Sequence, residues 1–229
     1  MSEVLAGAPP ASGAPARPRR LRGLLLGVGL GLLGGLLLAG VTLTLALRHG
    51  EPPPVLGTLP AFSFTDQAGR PLVEHDLDGS MWVIDFFFAR CRGICPMLAE
   101  RMKDVDRFAQ ARPALAGRTR LLSITVDPEH DDPTVLQQYA AAHHIDGERW
   151  RLATGRAPQV LDVVTRGFKI AVEPPTTDPK TGDLDILHGG YLVLLDSSRR
   201  IRGYFDSDAE GVRRLEETLS ALGAEEQHR

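Results

Sequence analysis

The sequence lacks the motifs of several large enzyme classes. It has no HExxH metal motif, no glycine-rich phosphate loop and no Ser-His-Asp series, so it gives no support to metalloprotease, phosphate-loop nucleotide hydrolase or triad hydrolase chemistry. Cysteine is scarce, with only 2 residues, and the net charge is only −3. Because the basic residues gather at the start of the chain and the remainder is mildly acidic, nucleic acid is not an expected partner.

Charged side chains are also missing from residues 23–47, a run made mostly of Leu, Gly, Ala and Val. About 20 apolar residues cross a bilayer core as a helix, so this run predicts a single transmembrane anchor. Thr44-Leu45-Ala46 near its end also resembles the cleavage site of a signal peptide, although the apolar region of a signal peptide has only about 7–15 residues. A retained anchor is therefore the first interpretation, and a cleaved signal is the alternative.

The residues around this run predict its orientation. Residues 1–22 are rich in Ala, Pro and Gly, so we expect a disordered segment, and its basic residues are Arg17, Arg19, Arg20 and Arg22. Positive charge tends to stay on the cytoplasmic side of a membrane, which predicts a cytoplasmic N-terminus. We therefore expect a single-pass protein of the bacterial inner membrane, with its C-terminal domain in the periplasm or another extracytoplasmic space.

Residues 48–60 contain several prolines and predict a stiff, extended linker between the anchor and a folded domain at residues 61–229. Within this domain, a turn-rich stretch at 66–70 separates two short strand signals and predicts an N-terminal β-hairpin. The apolar runs MWVIDFFF and TRLLSITV, which begin at Met81 and Thr119, predict strands that are covered on both faces.

Helix and strand signals alternate through the rest of the domain. Four further helices are predicted to begin at Pro96, at Asp132-Pro133, near Pro158 and after Asp208. Shorter strand signals lie at residues 150–153, 190–196 and 201–205. This order fits an α/β fold with a parallel central sheet, an antiparallel edge and helices on both faces.

The two cysteines, Cys91 and Cys95, lie at the junction of the strongest strand signal and the following helix. A disulfide between them would close a very short loop and add little stability, so a purely structural bridge is the weaker interpretation. Backbone amides at the start of the helix favour negative charge and should lower the pKa of a nearby thiol. Thiolates are both nucleophiles and soft metal ligands, so redox chemistry and metal binding both stay open.

Asp85 is the one charged residue in the strand MWVIDFFF, six positions before the first thiol. A buried, unpaired carboxylate is costly and tends to hold a proton instead. Such a group behind the thiol pair could shuttle protons to and from it. Alternatively, Asp85 lies at the solvent edge of the strand or pairs with an arginine.

Three segments together resemble the Sco/SenC family. The stretch VIDFFFARCRGICPM is similar to the active segment of thioredoxin-fold proteins, and its C-x-x-x-C-P spacing resembles that of the Sco/SenC family. The stretch SITVDPEHDDPTVLQQYA is similar to the family's V-D-P-x-x-D-x-P segment, and His188, in LDILHGGYLVLLD, lies where the family places its third copper ligand. The chain differs from the family at Arg92, which is commonly proline, and at Leu187, which is often aspartate.

The resemblance implies a thioredoxin-like copper chaperone for the binuclear copper centre of cytochrome c oxidase. It implies that Cys91, Cys95 and His188 are the copper ligands and that the copper-bearing oxidase subunit is a partner. Two thiolates and one imidazole form a soft site that favours Cu(I) and can accept Cu(II). We expect Asp127, rather than His130, to lie beside this ligand set.

A second function stays open, because a thiol pair also suits an enzyme. Cys91 and Cys95, with Asp85 as the proton shuttle, could form an extracytoplasmic thiol–disulfide oxidoreductase that keeps partner cysteines reduced. A redox or copper sensor that signals to a membrane partner is a third alternative. A thiol reductant is a further expected partner. Whether the chain is an enzyme is therefore left open at this point, with the metallochaperone as the first interpretation.

Overall fold

The computed structural model describes residues 33–40, 53–172, 176–177, 184–185 and 190–227. The chain divides into two compact units, Met1–Glu51 and Pro52–Arg229. In the first unit, residues 33–40 form a helix, α1.

None of the helices in the described part of the chain is long and apolar enough to cross a bilayer. Most of the predicted transmembrane run at residues 23–47, and all of the predicted disordered segment at 1–22, lie outside the described residues.

The second unit alternates strands and helices. Its strands are β1 (Gly57–Thr58), β2 (Ser63–Asp66), β3 (Pro71–Val73), β4 (Met81–Phe87), β5 (Thr119–Thr125), β6 (Trp150–Thr154), β7 (Thr176–Thr177), β8 (Leu184–Asp185), β9 (Tyr191–Leu195) and β10 (Arg200–Asp206). Its helices are α2 (Cys95–Gln110), α3 (Pro133–Ala142), α4 (Ala157–Asp162) and α5 (Ala209–Gln227). A 3₁₀ turn covers Glu74–Leu77, and α4 continues into a wider turn at Val163–Gly167.

In the described chain, one sheet has the strand order β1-β10-β9-β4-β5-β6-β2-β3, and β7 and β8 form a separate pair. The central strands β4, β5 and β6 are parallel, while β9 and β2 join them in antiparallel orientation on either side. Every residue of β4 is buried, which explains its unbroken apolar sequence. The predicted α/β arrangement is confirmed, and β2 and β3 form the predicted hairpin.

The sheet separates two hydrophobic cores. Helices α2, α3 and α5 cover one face, with Leu98 and Leu215 among the buried residues. Helix α4, the turn after it and the hairpin cover the other face, where Phe168 is fully buried. Successive side chains of a strand point to opposite faces, so Val83 of β4 enters the first core and Ile84 the second. Each such buried side chain contributes on the order of 2 kcal/mol to folding, so β4 anchors both layers.

The helix ends agree closely with the sequence signals. Helix α2 begins at Cys95, one residue before the predicted start, and α3 begins at Pro133, with Asp132 accepting the Val135 N–H at 2.9 Å. The carboxylate of Asp208 accepts the Gly211 N–H at 2.7 Å, as predicted for the cap of α5.

The Pro-rich segment is packed against the domain rather than extended away from it. The Leu56 N–H donates to Ile201 O at 2.8 Å, and β1 pairs with β10. The guanidinium of Arg202 donates to Pro53 O from Nε at 2.9 Å and from Nη2 at 2.6 Å. The described part of the predicted linker, from Pro53 onward, therefore belongs to the folded domain, because its backbone groups find partners on β10.

Arg202 also provides a test of this arrangement. It is 3% exposed and donates to Asp196 at 2.8 Å and to Glu225 at 2.6 Å. Breaking a buried ion pair costs about 3–5 kcal/mol, so we expect Arg202→Ala to lower the free energy of unfolding by about that amount in urea denaturation. The control Arg213→Ala removes only solvent-exposed ion pairs on α5 and should have a much smaller effect. Equal effects for the two variants would contradict this role for Arg202.

Candidate functional site

The two thiols lie on the loop between β4 and α2, at the carboxyl end of a central strand. The Cys91 N–H donates to Phe88 O at 3.1 Å, so the chain turns tightly directly after β4. The Cys95 N–H donates to Cys91 Sγ at 3.4 Å, which brings an amide of the first turn of α2 against the first thiol. No disulfide joins the two cysteines in this structure. The structure thus brings the predicted thiol pair together at the predicted strand–helix junction.

The two thiols differ in exposure. Cys91 is partly exposed, whereas Cys95 is only 1% exposed. The hydrogen bond with Cys91 and burial both raise the pKa of Cys95. The expectation that the start of α2 lowers the pKa of a nearby thiol is therefore wrong for Cys95, whose pKa is raised. Cys91 is the thiol that an incoming metal ion or disulfide meets first.

Asp85 lies in the core rather than at a solvent edge. It is 2% exposed, and burial raises its pKa to about 7, while hydrogen bonding with Ser123 of β5 opposes part of that shift. Asp85 shares a strand face with Val83 and Phe87, which pack in the same core as Cys95. Its Oδ1 has no hydrogen-bond partner among the described residues. A buried carboxyl that can gain or lose a proton near neutral pH therefore lies on the same strand face as residues of the core that contains Cys95.

The loop between β5 and α3 is tied to the thiol loop by two aspartates. Asp127 accepts a hydrogen bond from Arg90 Nη2 at 2.5 Å, and His130 Nδ1 lies 2.8 Å from its other oxygen. Asp131 accepts the Ala89 N–H at 3.0 Å. Asp127 therefore reaches the thiol loop through the residue before Cys91, and the imidazole of His130 is engaged with Asp127.

Asp131 was not among the predicted site residues. Its side chain is fully buried, and its Oδ2 also accepts the Thr125 hydroxyl at 2.5 Å. Burial raises the pKa of Asp131 above its usual value. A signal for this residue was present in the sequence, since Asp131 is the second aspartate of the V-D-P-x-x-D-x-P pattern.

His188 lies outside the described residues, and Gly190, the next described residue along the chain, lies near Ile94 of the thiol loop. Val172 packs against the core cluster that also contacts Cys91 and Ile94. Gly190 lies so close to Ile94 that an added Cβ would be 2.6 Å from Ile94 Cδ1. Among the described residues, no group of three His, Cys, Asp or Glu side chains is arranged to hold a metal ion.

Residues 54–222 match the family described as SCO1/SenC. The chain belongs to the SCO1/SenC family. The match covers the thiol loop, Asp127 and Asp131 of the β5–α3 loop and the segment that contains His188, so the resemblance noted in the sequence is confirmed.

Relatives and solved structures agree with this family membership. The chain is 27% identical to the SCO1 protein homolog of Bacillus subtilis over 141 residues, which are 61% of this chain and 69% of that protein. It spans about half the length of the mitochondrial SCO2 relatives that it matches.

The fold matches two solved Sco structures. One is BsSco, described as a member of the Sco family of cytochrome c oxidase assembly proteins with a disulfide switch, at a TM-score of 0.64 and 22% identity over 76% of this chain and 98% of that chain. The other is Bradyrhizobium japonicum ScoI with copper bound, at a TM-score of 0.59 and 21% identity over 72% of this chain and 99% of that chain. Together with the mixed α/β sheet, these likenesses fit the predicted thioredoxin-like fold.

The buried carboxyl of Asp85 makes folding stability depend on pH. Its pKa is about 7 in the folded protein, against an ordinary value of 3.8, so the folded state binds more protons than the unfolded state between these values. The stabilisation from the protonated form is complete below about pH 4 and is lost as the pH rises through about 7. We expect Asp85→Asn to gain on the order of 4 kcal/mol in unfolding free energy relative to wild type between about pH 4 and pH 8, measured by urea denaturation of the reduced protein.

Glu129→Gln provides the matched control, because Glu129 is an exposed carboxyl on the nearby β5–α3 loop. Its unfolding free energy should run parallel to that of wild type across the same pH range. A constant difference between Asp85→Asn and wild type from acid to alkaline pH would show that Asp85 does not hold a proton in the folded state.

Proposed function

We propose that this chain is a membrane-anchored copper chaperone that binds copper through Cys91, Cys95 and His188 and delivers it to the binuclear copper centre of cytochrome c oxidase. The observation that carries the proposal is the geometry of the thiol pair in a member of the SCO1/SenC family: the Cys95 N–H donates to Cys91 Sγ at 3.4 Å, and no disulfide joins the two cysteines in this structure. Two sulfur atoms held by one short loop form one side of a soft-metal site.

His188 supplies the third ligand in this proposal. Gly190, two positions later, packs against Ile94 of the thiol loop. This proximity supports closure of the site by an imidazole that joins Cys91 and Cys95 only in the folded domain.

Copper binding replaces thiol protons with a metal cation. The hydrogen bond with Cys91 and burial raise the pKa of Cys95, and the charge of Asp85 raises it further, so an unligated thiolate is disfavoured there. A bound cation compensates the same negative charges. The surroundings of Cys95 therefore favour a metal-bound thiolate over a free one, which suits a protein that holds copper for transfer.

The membrane anchor and the partners complete the proposal. In this proposal the uncharged run at residues 23–47 is the single-pass anchor, and the basic residues before it favour a cytoplasmic N-terminus. The thiol domain then lies in the periplasm or another extracytoplasmic space, where the copper-bearing oxidase subunit is accessible. A thiol reductant keeps Cys91 and Cys95 available for copper.

Copper binding by the reduced protein tests this function. We expect one Cu(I) per chain, and we expect His188→Ala to weaken the affinity by at least about tenfold, measured by competition with a coloured Cu(I) chelator. His130→Ala is the matched control, because it removes an imidazole that is already bonded to Asp127. Wild-type affinity in His188→Ala would contradict the three-ligand site.

A second candidate function is thiol–disulfide exchange, which the position of Asp85 favours. The buried carboxyl has a pKa of about 7 and lies in the same core as Cys95, so it can accept the proton that this thiol releases. In this case the rate of disulfide reduction should be unchanged in His188→Ala and lower in Asp85→Asn, measured with a protein disulfide as substrate. A rate no higher than that of glutathione alone would rule out this function.

A further inference from the structure

The turn that carries Cys91 is held by a group from a distant part of the chain. Phe88 O accepts the Cys91 N–H at 3.1 Å, which leaves Ala89 and Arg90 at the two middle positions of the turn. The Ala89 N–H donates to Asp131 Oδ2 at 3.0 Å, across 42 positions of sequence. The backbone of the turn is therefore fixed partly by the side chain of Asp131.

Asp131 in turn is held at the ends of the two central strands. Phe87 and Thr125 are paired in register as the last residues of β4 and β5, and the Val126 N–H donates to Phe87 O at 2.8 Å. The Thr125 hydroxyl donates to Asp131 Oδ2 at 2.5 Å, and the Asp131 N–H donates to Asp127 O at 3.0 Å. One carboxylate oxygen thus connects the end of β5 to the turn that follows β4.

Because Asp131 is buried, these hydrogen bonds are its main interactions in the folded protein. Its exposure is 0%, and its Oδ1 has no partner among the described residues. A buried carboxyl is unfavourable unless its hydrogen bonds compensate. The neighbouring aspartate, Asp132, instead lies at the surface and caps α3, so the two adjacent acids have separate roles.

We propose that Asp131 is a positioning residue for Cys91, acting through the Ala89 N–H. It holds the turn in the conformation in which the Cys95 N–H reaches Cys91 Sγ at 3.4 Å. The proposal rests on the proposed function in one respect, namely that this thiol pair is the working part of the protein. The Cys95 N–H holds Cys91 Sγ in one position, so loosening the turn leaves Cys91 less often placed for reaction.

The experiment uses the reduced full chain without copper. The rate of alkylation of Cys91 by iodoacetamide at pH 7 is measured in a Cys95→Ser background, which keeps the backbone N–H of residue 95. In the chain with both cysteines, the equilibrium with glutathione is measured. There Cys91 and Cys95 give up two protons and two electrons to form one disulfide, while one glutathione disulfide becomes two glutathione thiols.

Loss of one hydrogen bond corresponds to about a tenfold change in a rate or equilibrium constant. We therefore expect Asp131→Ala to slow the alkylation of Cys91 by about tenfold. We also expect it to shift the glutathione equilibrium. Asp131→Asn keeps an oxygen acceptor for the Ala89 N–H and should stay within about threefold of wild type. Asp132→Ala is the matched control: it loses the cap of α3 but should leave both measurements unchanged.

Wild-type alkylation and an unchanged glutathione equilibrium in a folded Asp131→Ala variant would show that Asp131 serves only folding. If that variant does not fold, Thr125→Val is the variant that tests the proposal, because it removes the hydroxyl that donates to Asp131 Oδ2. Slower alkylation in Thr125→Val supports the proposal, and a wild-type rate overturns it. These measurements contain no copper. A negative result for Asp131 therefore does not contradict the proposed copper site, and absence of copper binding would not contradict the role of Asp131.

Discussion

The parallel pairing of β4 with β5 is the constraint on which the site depends. The two strands pair along their whole length, from Met81 opposite Thr119 to Phe87 opposite Thr125, so they end at the same level. The loops that follow parallel strands share one edge of the sheet, which is where such folds build their sites. The thiol loop therefore meets the loop that contains Asp127 and Asp131, and neither can shift without disturbing the most buried pair of strands.

Much of the fold could be predicted because its central signals are local. The apolar run of β4 is continuous since both faces are covered, and Pro96 and Asp132 mark helix starts within one residue. The Pro-rich segment was misjudged for the opposite reason. Its composition indicates a spacer, whereas Arg202 binds Pro53 O across 149 positions of sequence, a contact that no local pattern contains. Pairing of short edge strands such as β1 depends on partners that composition does not identify.

The site shows the same division between local and tertiary effects. The sequence was sufficient to select Cys91, Cys95 and Asp85 as candidates, because two thiols and one charge stand out in and directly after an apolar strand. It was not sufficient for the pKa of Cys95, since the second sulfur and burial reverse the direction expected at a helix start. The pattern V-D-P-x-x-D-x-P distinguishes Asp131 from Asp132, but the hydrogen bonds of Asp131 with Ala89 and Thr125 depend on the folded backbone and could not be predicted from the pattern.

Copper transfer and thiol exchange would both use Cys91 and Cys95 in the same environment. Only copper binding needs His188 as a third ligand, so this residue distinguishes the two functions. The most direct measurement is X-ray absorption at the copper edge of the reduced, copper-loaded protein, with His188→Ala alongside it. The account predicts two sulfur ligands and one nitrogen ligand per copper in the wild type, with the nitrogen ligand lost in the variant. Copper bound by sulfur alone in the wild type, or an identical spectrum in both proteins, would contradict a site formed by Cys91, Cys95 and His188.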